Sequence, residues 1–280
     1  LRKLVALAIV AALLLGTSCR TTRKTKPAGV VVLSPEVAEI ICALGGENEI
    51  TGVTEECNYP GSLKAKPKVG NFSSINREAI LALNPALVFC SSLEQEGMAA
   101  ELSKLGIRVE VVYPTSLEQL SKEITRIGTL TGREKAATAL NTEMRSAIND
   151  IQHNAAGKIR PRVYLEIYRN PLMSVADSSF VGELIETAGG DNIFSTLERD
   201  YARVNPEAVI KAKPEIMICY SQDTWTGISS RKGWSEIPAV KRHQILFESD
   251  LDPDLLQRAT PRCIEGMRKL QQYFEHWRNL

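Results

Sequence analysis

Asn76 to Cys90 reads NREAILALNPALVFC, and Asn205 to Cys219 reads NPEAVIKAKPEIMIC. The two stretches align without a gap at an offset of 129 residues. Asn, Glu, Ala, Pro and Cys recur at matching places, with apolar residues between them. Each stretch reads as one unit. The Asn caps a helix whose orphan backbone N–H groups need an acceptor. The Pro closes the unit, and a short apolar run follows as a buried strand. A second pair agrees with the first: EIICALGGEN (39–48) and ELIETAGGDN (183–192), at an offset of 144. The repeated order is helix, Gly-Gly stop, loop, capped helix, Pro, strand. Two related halves predict two similar lobes facing each other, and the groove between such lobes is a default ligand site. The connecting segments differ. The first half places residues 51–75 between the repeated blocks and the second only 195–204, so the first carries 15 extra residues in one loop. That loop is a candidate place for ligand chemistry.

Outward from the repeat, strand and helix patterns alternate. Val30 to Leu33 is a β-branched apolar run that predicts a buried parallel strand. Ser34 and Pro35 then open a helix, and Gly45-Gly46 stops it. The pattern predicts a strand over 49–53, a helix over 98–105, a strand over 108–112 and a helix over 117–130. In the second half it predicts a strand over 162–167, helices over 180–188 and 206–212, a strand over 215–219 and a closing helix over 261–277. Between the halves, residues 133–154 contain neither Pro nor Gly, and Ala137, Leu140, Met144, Ile148 and Ile151 form one apolar stripe. At 1.5 Å per residue this helix would run roughly 30 Å. The fold class is therefore α/β: two similar lobes with central parallel sheets, joined by a single long backbone helix, with a ligand cleft between them. The boundaries read as a first lobe over 29–132, the connecting helix over 133–156 and a second lobe over 157–280.

The N-terminus speaks to compartment. Arg2 and Lys3 precede twelve unbroken apolar residues, Leu4 to Leu15. That run is short for a bilayer span but suits the core of an export signal. Gly16, Thr17, Ser18 and Cys19 follow and resemble a bacterial lipobox, with Gly16 where Leu is usual. Three readings stay open: a lipoprotein signal over 1–19 with Cys19 acylated, ordinary cleavage, or an uncleaved anchor. Residues 20–28 (RTTRKTKPA) read as a flexible tether.

Composition excludes several classes. The formal net charge is +1, and no basic stripe suggests nucleic acid as a partner. Cys42, Cys57, Cys90, Cys219 and Cys263 remain once Cys19 is set aside, an odd number with no CxxC. Neither a disulfide framework nor a zinc ribbon follows from them. Cys42, Cys90 and Cys219 sit in apolar runs, whereas Cys57 stands in a polar loop as a candidate reactive thiol. His153, His243 and His276 lie far apart, which speaks against a metal-capture site. No nucleophile triad or phosphate-cradling loop marks an enzyme.

The chain resembles the substrate-binding lipoproteins of ABC importers for cobalamin, haem and ferric siderophores. The blocks that carry the resemblance are LSPEVAEIICALGG (33–46), GVTEECNYP (52–60), PKVGNFSSINREAILALNPALV (67–88), GELIETAGGDNIF (182–194), VNPEAVIKAKPEIMI (204–218), GWSEIPAVK (233–241) and TPRCIEGMRKL (260–270). Within the family, CNYP and the aromatic after PKVG look most like cobalamin binders. The resemblance implies an exported, lipid-anchored monomer that captures a corrinoid or other metal chelate and delivers it to a permease dimer with its ATPase. It implies no cofactor of its own. Ferric-siderophore or haem binding is the alternative within the class; a chelatase-like enzyme or a sensory surface module lies outside it. It assigns Glu78 and Glu207 to permease docking. For ligand binding it implies Phe72 and Tyr201 as a pair of aromatics, each six residues before its lobe's docking glutamate. Asp254 corresponds to an acidic cleft residue. Glu56, Ser91 and Met173 stand where cobalamin binders carry aromatics, and Cys57 and Tyr59 belong to the CNYP block. Trp225, in SQDTWTGISS, is a loop candidate for the cleft, whereas Trp234 reads as structural.

Overall fold

A computed structural model describes residues 29–91 and 95–280; Cys19 and the tether lie outside them. The first lobe runs β1 (Val30–Val32), α1 (Pro35–Ala43), β2 (Ile50–Val53), α2 (Arg77–Leu83), β3 (Leu87–Cys90), α3 (Glu96–Lys104), β4 (Val109–Val111) and α4 (Leu117–Leu130). The long helix α5 (Glu134–Ala155) follows. The second lobe runs β5 (Arg162–Glu166), β6 (Tyr168–Arg169), β7 (Leu172–Val175), α6 (Phe180–Thr187), β8 (Asp191–Asn192), β9 (Tyr201–Arg203), α7 (Pro206–Ala212), β10 (Ile216–Cys219), α8 (Trp225–Ser229), α9 (Pro238–Lys241), β11 (Ile245–Phe247), α10 (Asp254–Gln257) and α11 (Cys263–Arg278).

The repeat read from the sequence is a repeat of topology. The first sheet has the order β2-β1-β3-β4 and the second β8-β5-β10-β11, both parallel throughout. Registers correspond as well: Val30 pairs with Leu87 in one lobe, and Val163 with Ile216 in the other. The two repeated helix units close alike. Asn76 and Asn205 each cap their helix through the side-chain oxygen. Asn84 and Lys213 each end it in the left-handed region, at φ 45° and 50°, and a proline follows. The left-handed residue turns the chain sharply back toward the sheet.

One element has no counterpart in the first lobe. β6, β7 and β9 form a small antiparallel sheet in which Met173 faces Arg203 and Val175 faces Tyr201. The first lobe instead spends its extra residues on a looped excursion after β2. That excursion contains a 3-10 turn, Gly61–Ala65, and returns to the sheet through single bridges, Val53 to Lys68 and Gly70 to Ile75.

A single apolar core runs through both lobes. It includes Val32, Ile40 and Phe89 from the first, Ala137, Met144 and Ile151 from α5, and Leu165, Leu184 and Phe274 from the second. The long helix is thus a shared wall and not a free strut. It packs on α4 on one side and on α6 and α11 on the other. Trp234 is buried at 2% exposure against Tyr164, as a structural residue should be. Among the described residues, no helix is long and apolar enough to cross a membrane.

Candidate ligand cleft between the lobes

In an open parallel sheet, the crevice forms beyond the carboxyl ends of the strands, where the strand order reverses. In the first sheet that point lies between β1 and β3. Glu36 follows β1, Ser91 follows β3 and Tyr113 follows β4, and all three line one narrow cleft. The opposite wall comes from the second lobe: Phe180 at the start of α6, Asp200 and Tyr201 around β9, Gln257 at the end of α10 and Ala259 beyond it.

The polar groups of the cleft are held in place. Ser34 donates to Glu36 at 2.6 Å, and Ser178 donates to Asp200 at 2.7 Å. The Ser91 amide donates to Gln95 Oε1, whose amide nitrogen in turn donates to the Leu33 carbonyl, so the chain after β3 is pinned to the end of β1. Burial pushes the Tyr201 phenol up to about 12, helped by nearby Tyr113, Asp200 and Glu36. At neutral pH the cleft therefore presents a neutral phenol, with the Glu36 and Asp200 side chains beside it.

Ser91 and Tyr201 are the two sequence-derived candidates that line this cleft. Met173 shares a face of the small antiparallel sheet with Tyr201, because directly paired residues and alternate positions point the same way. Phe72 is not among the lining residues. It sits 39% exposed at the tip of the turn 71–74, its amide bonded to Glu56 Oε1 at 2.9 Å. The aromatics that share the cleft with Tyr201 are Tyr113, from the first lobe, and Phe180, from the second.

Cys57 corrects a sequence reading. It is 1% exposed, with its thiol 3.4 Å from the Thr54 hydroxyl, and burial raises its pKa. A turn closed by Cys57 N–H to Thr54 C=O tucks the side chain under the loop. It is a core residue that neither reaches a ligand nor reacts readily.

Asp254 is not a free acceptor. Its carboxylate is 3.0 Å from Arg258, and burial raises its pKa against the pull of that arginine. It belongs to a network at the lobe junction. Glu39, 4% exposed, takes Arg258 at 2.9 Å and Arg262 at 2.8 Å. Arg258 also donates to Asn58 and to the Glu56 carbonyl, and Arg262 lies 3.9 Å over the Tyr59 ring. Glu56, Tyr59 and Asp254 thus meet at one place, where the CNYP loop of the first lobe touches the second.

Trp225 lies apart from the Glu36–Tyr201 cleft. It stacks on His243 with centroids 4.6 Å apart and borders a separate hollow with Cys219, Phe247 and Glu248. The loop that carries it is anchored by Arg231, which spans fully buried Glu166 at 2.6 and 2.7 Å and Asp223 at 2.6 Å. Glu78 and Glu207 stand exposed in the first turns of α2 and α7. Among the described residues, no group of three His, Cys, Asp or Glu could hold a metal ion.

Residues 30–250 match the periplasmic binding protein family. The chain belongs to that family. An uncharacterized ABC transporter substrate-binding lipoprotein of Bacillus subtilis, YvrC, is 31% identical over 259 residues, covering 90% of this chain and 81% of its own. A vitamin B12-binding protein of Vibrio cholerae is 24% identical over 247 residues, covering 88% of each chain. The apo periplasmic haem-binding protein RhuT of Roseiflexus shares the fold at a TM-score of 0.80 and 22% identity, over 90% of this chain and 99% of that one. The binding protein is therefore a substrate-binding protein of an ABC importer. Its family works outside the cytoplasm, beside a permease and an ATPase, and family and fold are those of binding proteins, not enzymes.

Sequence reasoning missed Glu36, Tyr113, Asp200 and Gln257. One signal was present: Glu36 and Tyr113 each follow a predicted parallel strand of the first half, at its carboxyl end.

Proposed function

We propose that the protein captures a corrinoid, a cobalamin-like ligand, and delivers it to the permease of an ABC importer. The observation that carries this reading is the pair of tyrosines, Tyr113 and Tyr201, contributed by opposite lobes to one cleft. Flat aromatic faces suit a planar macrocycle. The cleft is narrow, so a large macrocycle would enter by one edge and leave the other at the mouth. Similarity to a vitamin B12-binding protein supports the ligand class. Phe72, Met173, Tyr59 and Glu56 would meet the parts of the ligand that project beyond the cleft.

Haem is the second reading, favoured by phenols that could ligate iron and by the likeness to a haem-binding fold. Against it, Tyr201 holds its proton to about 12, so an iron centre would have to displace it. Titration of the tether-free protein with cyanocobalamin, cobinamide, haem and a ferric siderophore, followed by tryptophan and tyrosine fluorescence, tests the proposal. Saturable binding of a corrinoid supports it. Binding of haem alone, or of none of the four, overturns it.

Glu78 and Glu207 complete the proposal as docking groups, one on each lobe, for cationic side chains of the permease. Acylation of Cys19 would tether the protein to the membrane through residues 20–28, as the lipoprotein name of the Bacillus relative suggests. The lobes over 29–132 and 157–280 and the helix over 133–156 would move as one body.

A further inference from the structure

The two glutamates that occupy one position of the repeat each reach across to the start of the other lobe's last helix. Glu39 stands six residues before Gly45, and Glu183 six before Gly189. Glu39, on α1 of the first lobe, grips Arg262, the N-cap residue of α11 in the second, at 2.8 and 3.0 Å. Glu183, on α6 of the second lobe, accepts the backbone N–H of Leu117, the first residue of α4 in the first lobe, at 2.7 Å. α4 and α11 are the last helices of their lobes. Each packs beside the repeated helix of its own lobe, α4 on α1 and α11 on α6. The two contacts are therefore related by the same pseudo-twofold that relates the lobes.

We infer that Glu39 and Glu183 form a reciprocal pair of staples that fixes the angle between the lobes and so the aperture of the cleft. The chemistry suits the task. Glu183 sits at the start of α4, whose unpartnered backbone N–H and partial positive charge hold a carboxylate by direction as well as by charge. Glu39 is held by the planar forks of Arg258 and Arg262, which fix direction through charge-assisted hydrogen bonds. Apolar packing through α5 joins the lobes but is non-directional. The staples supply the direction. Their positions differ in strength: Glu39 is nearly fully buried between two arginines, whereas Glu183 is half-buried on a single amide.

The experiment uses the protein without ligand, so its outcome is independent of the ligand proposed above. Nitroxides at Lys104→Cys and Lys232→Cys, in a Cys42→Ser background, report the distance between lobes by pulsed electron resonance. Amide exchange reports local opening. The parent protein should give one narrow distance. Glu39→Gln with Glu183→Gln should broaden and shift it, with Glu39→Gln accounting for most of the change. Glu183→Gln should speed exchange at the Leu117 amide by about tenfold while strand amides stay protected. A double variant that keeps the narrow distance overturns the proposal. Should that variant unfold, Glu183→Asp and Arg262→Lys decide: each keeps the charge but loses reach or fork geometry, and an unchanged distance in both sinks the inference.

Discussion

The last strand residue of β5 and the residue after β1 occupy one topological position, and they could hardly be less alike. In the first lobe it is Leu33 and in the second Glu166, both 0% exposed. Around Leu33 the surroundings are an apolar cluster with Val31, Val88 and Ile80. Around Glu166 they are an ionic lattice of Arg231, Asp223, Ser221 and Tyr164. The same topology thus closes one lobe with dispersion and the other with charge. The second arrangement brings a long loop with it, because Asp223 and Arg231 belong to the segment that carries Trp225. The difference shows how a duplicated fold diverges: the sheets stay alike while the loops beyond their strand ends acquire separate means of anchorage.

The largest effect should come from breaking that lattice. Glu166→Ala leaves Arg231 buried without its bidentate partner, a change that costs about 3–5 kcal/mol. Denaturant unfolding should show the loss, and amide exchange should locate it in the 221–234 loop. Replacing Glu166 and Arg231 together by Leu and Met should recover most of it, since apolar groups of similar volume are often no worse than a buried pair. At the matching position, Leu33→Ala should cost about 2–5 kcal/mol by cavity formation and open no loop. If the double replacement is as unstable as the single one, the lattice is not what distinguishes the lobes.

Next in size are the two tyrosines, one from each lobe. Tyr113→Ala and Tyr201→Ala should each weaken corrinoid binding by roughly tenfold to a hundredfold, from the loss of stacking and of buried area. Phe72→Ala should weaken it less, because that ring is not among the lining residues. A larger loss at Phe72 than at Tyr113 would restore the symmetric pairing of Phe72 with Tyr201 that the repeat suggested.

That pairing shows what was legible and what was not. The duplicated blocks pointed to two similar α/β lobes, though not to the strand order of their sheets, and helices 117–130 and 206–212 begin and end where periodicity places them. The antiparallel sheet was invisible because its strands are two to four residues long, with α6 lying between β7 and β9. Such runs show no usable alternation. Glu36, Tyr113, Asp200 and Gln257 come from four segments that only packing brings together. Cys57 was misread because its neighbours Glu55, Glu56 and Asn58 are polar, while a local turn points its thiol the other way.

Acid–base behaviour should separate the cleft from the rest of the surface. Burial raises the Tyr201 phenol from 10 to about 12. Between those values the folded state keeps a proton that the unfolded state has released, so stability falls as pH rises through that window. Tyr201→Phe should remove that share of the alkaline slope and delete one late phenolate from a spectroscopic titration, ahead of buried Tyr164 and Tyr220, whose phenols burial pushes higher still. An unchanged slope would mean that Tyr201 titrates as an ordinary exposed tyrosine.

The smallest effects belong to the proposed docking glutamates, and here the lobes differ again. Glu78 is already engaged: Arg77 holds it at 2.9 Å and depresses its pKa. Glu207 carries no ion pair among the described residues, and its own amide is satisfied by Asn205. To meet a permease cation, Glu78 must exchange one partner for another, whereas Glu207 exchanges only water. Exposed ion pairs are worth about 0–1 kcal/mol, so neither single change should abolish transport. Glu207→Ala should reduce uptake more than Glu78→Ala, and the double change should reduce it most, all with ligand affinity unaltered. Arg77→Ala should free Glu78 and bring the two single variants closer together. Uptake in reconstituted vesicles, measured at low and at raised ionic strength, checks the ranking, because salt screens these contacts first. Equal losses from the two single variants in the parent background would show that Arg77 does not compete, and that the lobes dock as equals.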